Sequence, residues 1–227
     1  MKLNRQFIYR VLIYVLGLVF LAFSVAFAIN SDLGISPVNS LPYAISLVSG
    51  AKLSTCVICV FSAYILLQII LLRKQFKWYN IFQIAFSTLF GYFTDFAKWV
   101  LGDFCFPTYF GQLGMLLISI VLIAIGISLY VDVQLIPMPS EGLTLAFSQI
   151  FSRIEFPKMK IIQDCVTVAT SAALSLIFLH RLDGVREGTI ISSLLVGMVI
   201  AFVQKFIKPA VNRICFPDFP AASSEKA

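Results

Sequence analysis

The chain has 227 residues, of which 59% are hydrophobic and only 12% are charged, and its mean hydropathy is +0.94. Soluble domains carry about 25% charged residues, so this composition excludes an ordinary soluble protein and predicts a chain embedded in a lipid bilayer. The net charge of +6 is typical of Lys and Arg collected in cytoplasmic loops. Because no basic stripe is interleaved with aromatic residues, we expect no nucleic-acid partner.

Six apolar stretches are long enough to cross a membrane, which takes about 20 residues of helix. They are residues 10–29, 54–72, 81–101, 112–131, 161–179 and 189–207. The stretches are continuous and do not alternate, so we predict an all-α polytopic membrane protein and not an outer-membrane barrel. The first stretch resembles a signal peptide, but it is longer than the usual apolar region of about 7–15 residues, so we interpret it as a retained helix.

Two shorter segments, 38–49 and 140–152, each follow a proline, Pro37 or Pro139. A helix of this length extends about 18 Å, roughly half the hydrocarbon thickness. Proline suits the first turn of a helix because the N–H groups there have no partner within the helix. We therefore predict two re-entrant half-helices, with a helix lying on the membrane surface as the alternative.

The chain repeats itself. A shift of 102 residues matches Pro37 with Pro139 and Asn39 with Glu141, and a shift of 106 matches Gly91 with Gly197. Both halves end in Cys-Phe-Pro. We therefore predict a first membrane repeat at 1–107, a second at 108–217 and a polar tail at 218–227. Three spans per repeat would invert the second repeat relative to the first, as in many secondary transporters.

The distribution of basic residues predicts the orientation of the chain. With six spans and a cytoplasmic N-terminus, thirteen of the 17 Lys and Arg residues lie inside, Lys160 among them, and four lie outside. If the short segments also cross, the division is 12 to 5. The charge count leaves both topologies open, and the short length of the two segments favours six spans. We expect both termini in the cytoplasm of a bacterium, with the protein in its inner membrane.

Candidate site residues cluster where each half-helix begins. A helix N-terminus favours an anionic group, whether from a ligand or from a side chain. The expected substrate-binding residues are Ser36, Asn39, Ser40, Tyr43, Ser140, Glu141 and Thr144. Ser, Asn and Glu are also ordinary helix-capping residues, so capping is the alternative interpretation.

Ionisable residues within a span are expensive and are candidates for function by default. Glu141, Asp95 and Asp164 are therefore the candidates for a coupling proton or cation. Lys98 follows Asp95 at i+3 and could pair with it instead. Asp164 lies close to the start of its span, where the helix dipole also favours an acidic residue. Gly91, Gly126 and Gly197 are expected at close helix contacts.

Enzyme signatures are missing from the sequence. There is no phosphate-binding Gly-rich loop, no His-Glu-x-x-His and no Gly-x-Ser-x-Gly. His180 is the only histidine, and the Cys56-x-x-Cys59 pair has no second pair nearby. We therefore expect no enzyme activity, no cofactor and no metal site.

Short motifs resemble the YczE/YyaS/YitT family of bacterial membrane proteins over nearly the whole chain. That family carries Gly-x-x-Pro-Trp-Asp-x-Leu after its first span, which corresponds to residues 34–41 here, with Val38 and Asn39 in place of Trp and Asp. Its second half carries Pro-x-Asp-Gly-Leu, which corresponds to residues 139–143 with Glu141 as the acid. The resemblance also covers Gly91 to Asp95, Asp164 and residues 188–197. The resemblance implies the family's fold and a site with two acids, one from each Pro-started element. This chain keeps an acid only in the second element, as Glu141.

These observations predict a secondary transporter of a small anionic or zwitterionic solute, coupled to a proton or cation, with its site between the two half-helix N-termini at the membrane midplane. The alternatives are an accessory scaffold that does not transport and a channel. The expected partners are the solute and the lipid bilayer, and a homodimer is compatible with the sequence.

Overall fold

The computed structural model describes residues 2–102, 104–182 and 184–216, so the predicted polar tail at 218–227 lies outside the described residues. All regular structure in these ranges is helical, which confirms the all-α prediction. Two 3-10 turns, at Arg73–Gln75 and Trp78–Phe82, separate the third and fourth helices. The eight α-helices are α1 (Lys2–Ser31), α2 (Pro37–Ser49), α3 (Leu53–Leu72), α4 (Gln83–Leu101), α5 (Tyr109–Asp132), α6 (Pro139–Ile150), α7 (Phe156–Leu179) and α8 (Glu187–Cys215).

Five of the helices in the described residues, α1, α3, α5, α7 and α8, are long and apolar enough to cross a membrane. The sixth predicted span, 81–101, corresponds to α4, a helix of 19 residues. It carries Gln83, Asp95 and Lys98 and is not among the five candidate spans. The sequence therefore predicted where all six helices lie, and five of the six meet the length and hydropathy expected of a span.

The centre of the bundle is the contact between α1 and α5. A Cβ atom on Gly17 would lie 2.9 Å from the Gly126 carbonyl oxygen, and a Cβ on Gly126 would lie 2.8 Å from the Gly17 carbonyl oxygen. Reciprocal glycines of this kind let two backbones approach closely, which is how helices associate in a bilayer without a hydrophobic driving force. The close contact expected at Gly126 is confirmed.

The remaining helices pack in corresponding pairs. α4 lies along α1, and α8 lies along α5. The short helix α2 packs on α7, and the short helix α6 packs on α3. Each short helix therefore contacts a long helix of the other half of the chain. As a result α2, α3, α6 and α7 surround one polar interior.

The close contact between α7 and α8 has no counterpart between α3 and α4. α8 packs tightly on α7, because a Cβ on Gly197 would overlap with Ile161 and the Pro157 carbonyl. α4 instead touches α3 only near its first turn, and a Cβ on Gly91 would meet no atom within 4 Å. The close contact expected at Gly197 is confirmed and the one expected at Gly91 is wrong within this chain, because α3 diverges from α4.

Candidate functional site

The first turn of α6 is buried and polar. Pro139 fixes the backbone where the helix begins, and Met138 at the N-cap supplies no side-chain hydrogen bond. Ser140, Glu141 and Thr144 follow, all less than 5% exposed. The free N–H groups and the helix dipole at this end favour negative charge, which fits an acidic residue in the first turn.

Glu141 belongs to a buried cluster of three charged side chains, which we call the triad: Glu141, Lys160 and Asp164. The Lys160 ammonium lies 2.7 Å from Asp164 Oδ1, to which it donates a hydrogen bond, and 3.4 Å from Glu141 Oε1. The exposed fractions of the side chains are 1% for Lys160, 5% for Glu141 and 4% for Asp164. One lysine on α7 therefore bridges its own helix and α6.

The triad has two carboxylates and one ammonium. With all three ionised it carries a net charge of −1 out of contact with water, where an uncompensated charge is expensive. One proton on either carboxylate makes the cluster neutral. The arrangement can therefore hold or release a proton at an interior position, because its charge is balanced in only one of the two states.

A tyrosine hydroxyl beside the triad has no hydrogen-bond partner. Tyr130 on α5 is 1% exposed, and its hydroxyl lies near Glu141 but outside good hydrogen-bond geometry with any described group. A buried polar group without a partner is rare in proteins.

Amide side chains hold the first turn of α6 from two directions. Gln163 on α7 donates to the Ser140 carbonyl at 3.0 Å and accepts from the Thr144 hydroxyl at 2.8 Å. On the other side Gln68 donates to the Pro139 carbonyl at 3.1 Å, and it exchanges hydrogen bonds with Gln83 at 3.0 and 3.2 Å. These bonds fix the position of the first turn of α6 along the bundle and its rotation about the helix axis, and so they fix the position of Glu141.

The start of α2 has the same setting without charge. The Ser40 carbonyl accepts a hydrogen bond of 2.8 Å from Ser171 on α7, and the Ser40 hydroxyl donates to the Pro37 carbonyl at 2.8 Å. Ser36 and Asn39 are half-buried, and Ser36 makes no side-chain cap. The ring of Tyr43 packs beside Gly184: a Cβ there would lie 2.5 Å from a ring carbon of Tyr43, and the φ of +81° is one that side-chain-bearing residues rarely adopt.

The predicted site residues thus form two groups, and both groups contact α7. Ser140, Glu141, Thr144 and Asp164 meet near the start of α7, and Ser40 meets α7 at Ser171. Asp164 and Ser171 are seven residues apart, or about 10 Å along a helix. Asp95 joins neither group: it is exposed on α4 and makes no ion pair or hydrogen bond within the described ranges.

Sequence reasoning missed Lys160, Gln68, Gln83 and Gln163. Lys160 was counted as a cytoplasmic charge, whereas its side chain is 1% exposed. The available signal was its i, i+4 spacing to Asp164 on one predicted span. No group of three or more His, Cys, Asp or Glu residues that could hold a metal occurs among the residues described.

The chain belongs to a protein family of unknown function, DUF6198, whose model matches residues 8–205. No curated protein matches the chain. No solved structure matches it either.

Proposed function

We propose that this protein is a proton-coupled secondary transporter of a small anionic or zwitterionic solute in a bacterial inner membrane. The observation that carries the proposal is the triad. Two carboxylates share one ammonium at the buried N-terminus of a short helix, at distances of 2.7 and 3.4 Å. Ionisable groups at such positions in membrane proteins serve as proton relays and ion sites.

The helix arrangement supports an inverted repeat with two re-entrant half-helices. α2 begins beside Ser171 in the middle of α7, and its Tyr43 lies beside Gly184 in the loop after α7. α6 begins beside Lys160 near the start of α7, and Gln149 and Ile150 at its end lie beside residues 71–75 in the turn after α3. The two short helices then enter from opposite sides with their N-termini toward each other.

In this arrangement the solute binds between the starts of α2 and α6. Both helix dipoles present positive ends, which suit the carboxylate of a small solute, while Ser36, Asn39, Ser40 and Ser140 supply hydrogen bonds. Glu141 is the coupling group. Its ionised form gives the triad a net charge of −1, and its protonated form gives a neutral triad next to an anionic solute.

Proton and solute are coupled through this charge balance. An anionic solute near an ionised Glu141 meets a like charge, which is unfavourable in a site of low dielectric constant. A proton on Glu141 removes the repulsion. Solute and proton therefore bind together and leave together, as a symporter requires.

The fold also supports kinship with the YczE/YyaS/YitT proteins. The Pro-started elements at 34–41 and 139–143 are the first turns of α2 and α6, where the proposed site lies. The acids of the second element and of α7, Glu141 and Asp164, are two members of the triad. The acid of the first element is replaced by Asn39, so one proton site per chain is expected.

The test uses purified protein in proteoliposomes that contain a pH-sensitive dye. Individual amino acids and small carboxylic acids are added outside, and proton uptake is recorded. We expect uptake driven by at least one probe and its loss in Glu141→Gln. Glu155→Gln, the same change at an exposed residue at the start of α7, should keep it. Solute-driven uptake that persists in Glu141→Gln would show that another group carries the proton.

A further inference from the structure

One face of α4 is exposed although it is not purely apolar. With 3.6 residues per turn, Ile84, Thr88, Gly91, Tyr92, Asp95, Lys98 and Trp99 lie on one side of the helix, and all seven are exposed. We call this set the α4 face. The opposite side packs on α1 through Phe90, Phe93 and Ala97. The α4 face therefore points away from the bundle.

The α4 face combines apolar and aromatic residues with one acid and one lysine, and the acid does not suit lipid. Asp95 lies six residues before the end of the helix, about 9 Å from its C-terminus. Its carboxylate has no hydrogen bond or ion pair within the described residues, and acids in contact with hydrocarbon are rare. Gly91 adds a place where another backbone could approach closely, which lipid does not need.

The second half of the chain shows what covers such a face. Gly197, which the repeat matches with Gly91, lies against Pro157 and Ile161 of α7. The matching helix in the first half, α3, diverges from α4 after the contact between Gln68 and Gln83. The first half therefore has a glycine for close helix contact and no helix of the same chain against it.

We propose that the α4 face is a homodimer interface in which the α4 helices of two copies pack side by side. In a two-fold dimer a residue i that contacts j of the partner is matched by j contacting i. Asp95 and Lys98 are such a self-complementary pair, so that each acid faces the other copy's lysine. Tyr92 and Trp99, 70% and 79% exposed, are the residue types enriched at interfaces.

The pairing of Asp95 with Lys98 of a second copy can be tested by charge reversal, and a contact within one chain would not give the same pattern of results. D95K makes the face doubly positive, and K98D makes it doubly negative. Two D95K chains repel each other, as do two K98D chains, but a D95K chain and a K98D chain complement each other at both contacts. Full-length copies with two different affinity tags are co-expressed, extracted in detergent and co-purified. K52D, a charge reversal at an exposed residue of the α2–α3 loop, is the control.

We expect wild-type and K52D chains to co-purify with the second tag, D95K and K98D alone to lose at least about tenfold, and the mixed pair to recover the wild-type level. Gel filtration and thermal unfolding of each variant identify chains that fail to fold. Well-folded variants that co-purify equally in all combinations would overturn the proposal, and so would a mixed pair that fails like the single variants.

A cross-linking experiment separates a second copy from α3 of the same chain. Counting eight residues from the contact between Gln68 and Gln83 along two antiparallel helices puts Gly91 level with Val60, one residue from Cys59, and Cys59 is exposed. G91C is introduced with Cys59 as the only native cysteine, and also without it. Interchain linkage through G91C in both variants supports the dimer. Intrachain linkage to Cys59 alone, or no linkage in native membranes, would overturn it.

Discussion

The starts of α2 and α6 are built alike and carry different charge. Each follows a loop after a long helix, begins at a proline and receives a hydrogen bond to its first turn from α7. At α6 the third residue is Glu141, paired with Lys160. At α2 the third residue is Asn39, which is half-buried and carries no charge.

This difference shows that the backbone arrangement does not require an ion pair. The dipole and the free N–H groups are common to both helix ends, and at each end a side chain of α7 donates a hydrogen bond to a first-turn carbonyl. The charged side chains at α6 are therefore not needed for the backbone arrangement that the starts of α2 and α6 share. A buried charged cluster that this arrangement does not need is better explained by function than by stability.

The largest effect on the free energy of unfolding is expected when Glu141 and Asp164 lose their counter-charge, Lys160. Lys160→Met removes the ammonium and leaves two carboxylates buried together. Breaking a buried pair in this way costs about 3–5 kcal/mol. We expect that loss in denaturant unfolding in mixed micelles at neutral pH.

Lys158→Met is the matched control, because Lys158 is exposed on the same helix two residues earlier. It should change the free energy of unfolding by less than about 0.5 kcal/mol. A Lys160→Met protein as stable as the wild type at neutral pH would mean that water reaches the triad, and that its two carboxylates are not isolated.

A moderate effect is expected from the packing that holds α6 and has no equivalent at α2. A Cβ on Gly142 would lie 2.8 Å from Gln68 Oε1 and 2.9 Å from Gln83 Nε2. Gly142→Ala should therefore separate this amide pair and weaken the hydrogen bond to Pro139. We expect a loss of about 1–2 kcal/mol, since overpacking outweighs the better helix propensity of alanine.

Gly114→Ala serves as the reference for Gly142→Ala, because Gly114 lies within α5 and a Cβ there would meet no atom within 4 Å. It should be neutral, or more stable by up to about 1 kcal/mol. Equal thermal stability of the two variants would indicate that the amide pair moves freely and does not fix the start of α6.

The smallest effect on stability is expected when α2 is made to resemble α6. Asn39→Asp adds an acid to the first turn of α2, where the dipole contributes about 0.3–1 kcal/mol in its favour and the partial burial of the charge opposes it. The free energy of unfolding should therefore change by less than about 1 kcal/mol. In the proteoliposome assay the variant should alter the pH dependence of flux, because it adds a second titratable group to the site.

Asn39→Ser provides the uncharged comparison for that variant and should leave the pH dependence as it is. A destabilisation by Asn39→Asp of more than about 2 kcal/mol would show that the start of α2 is a closed apolar contact. The similarity between the two helix ends would then be confined to the backbone.

Most helices could be predicted from the sequence because the signal is local. Continuous apolar runs predicted α1, α3, α5, α7 and α8, and the prolines marked the starts of α2 and α6. The prediction was weakest for α4, where Asp95 was considered an ion site within the bundle. Hydropathy records how apolar a helix is, but it does not record which of its faces meets protein.

The site could be predicted only in part. Glu141 and Asp164 are unusual in apolar surroundings, so each was visible alone. Lys160 was assigned to a cytoplasmic loop because it lies at the edge of a predicted span and positive charge is common there. Its burial follows from the packing of α6 against the first two turns of α7, which no local pattern encodes.

Local sequence patterns suffice to predict a helical membrane protein with a repeated order of long and short helices, because hydrophobic length and proline position act over a few residues. Which polar residues meet depends on the tertiary packing. Those contacts depend on how α2 and α6 cross to the opposite half, and on glycines such as Gly17 and Gly126 that set the distance between helices. A charge becomes a site only when packing removes water and supplies a partner, and that depends on residues distant in the chain.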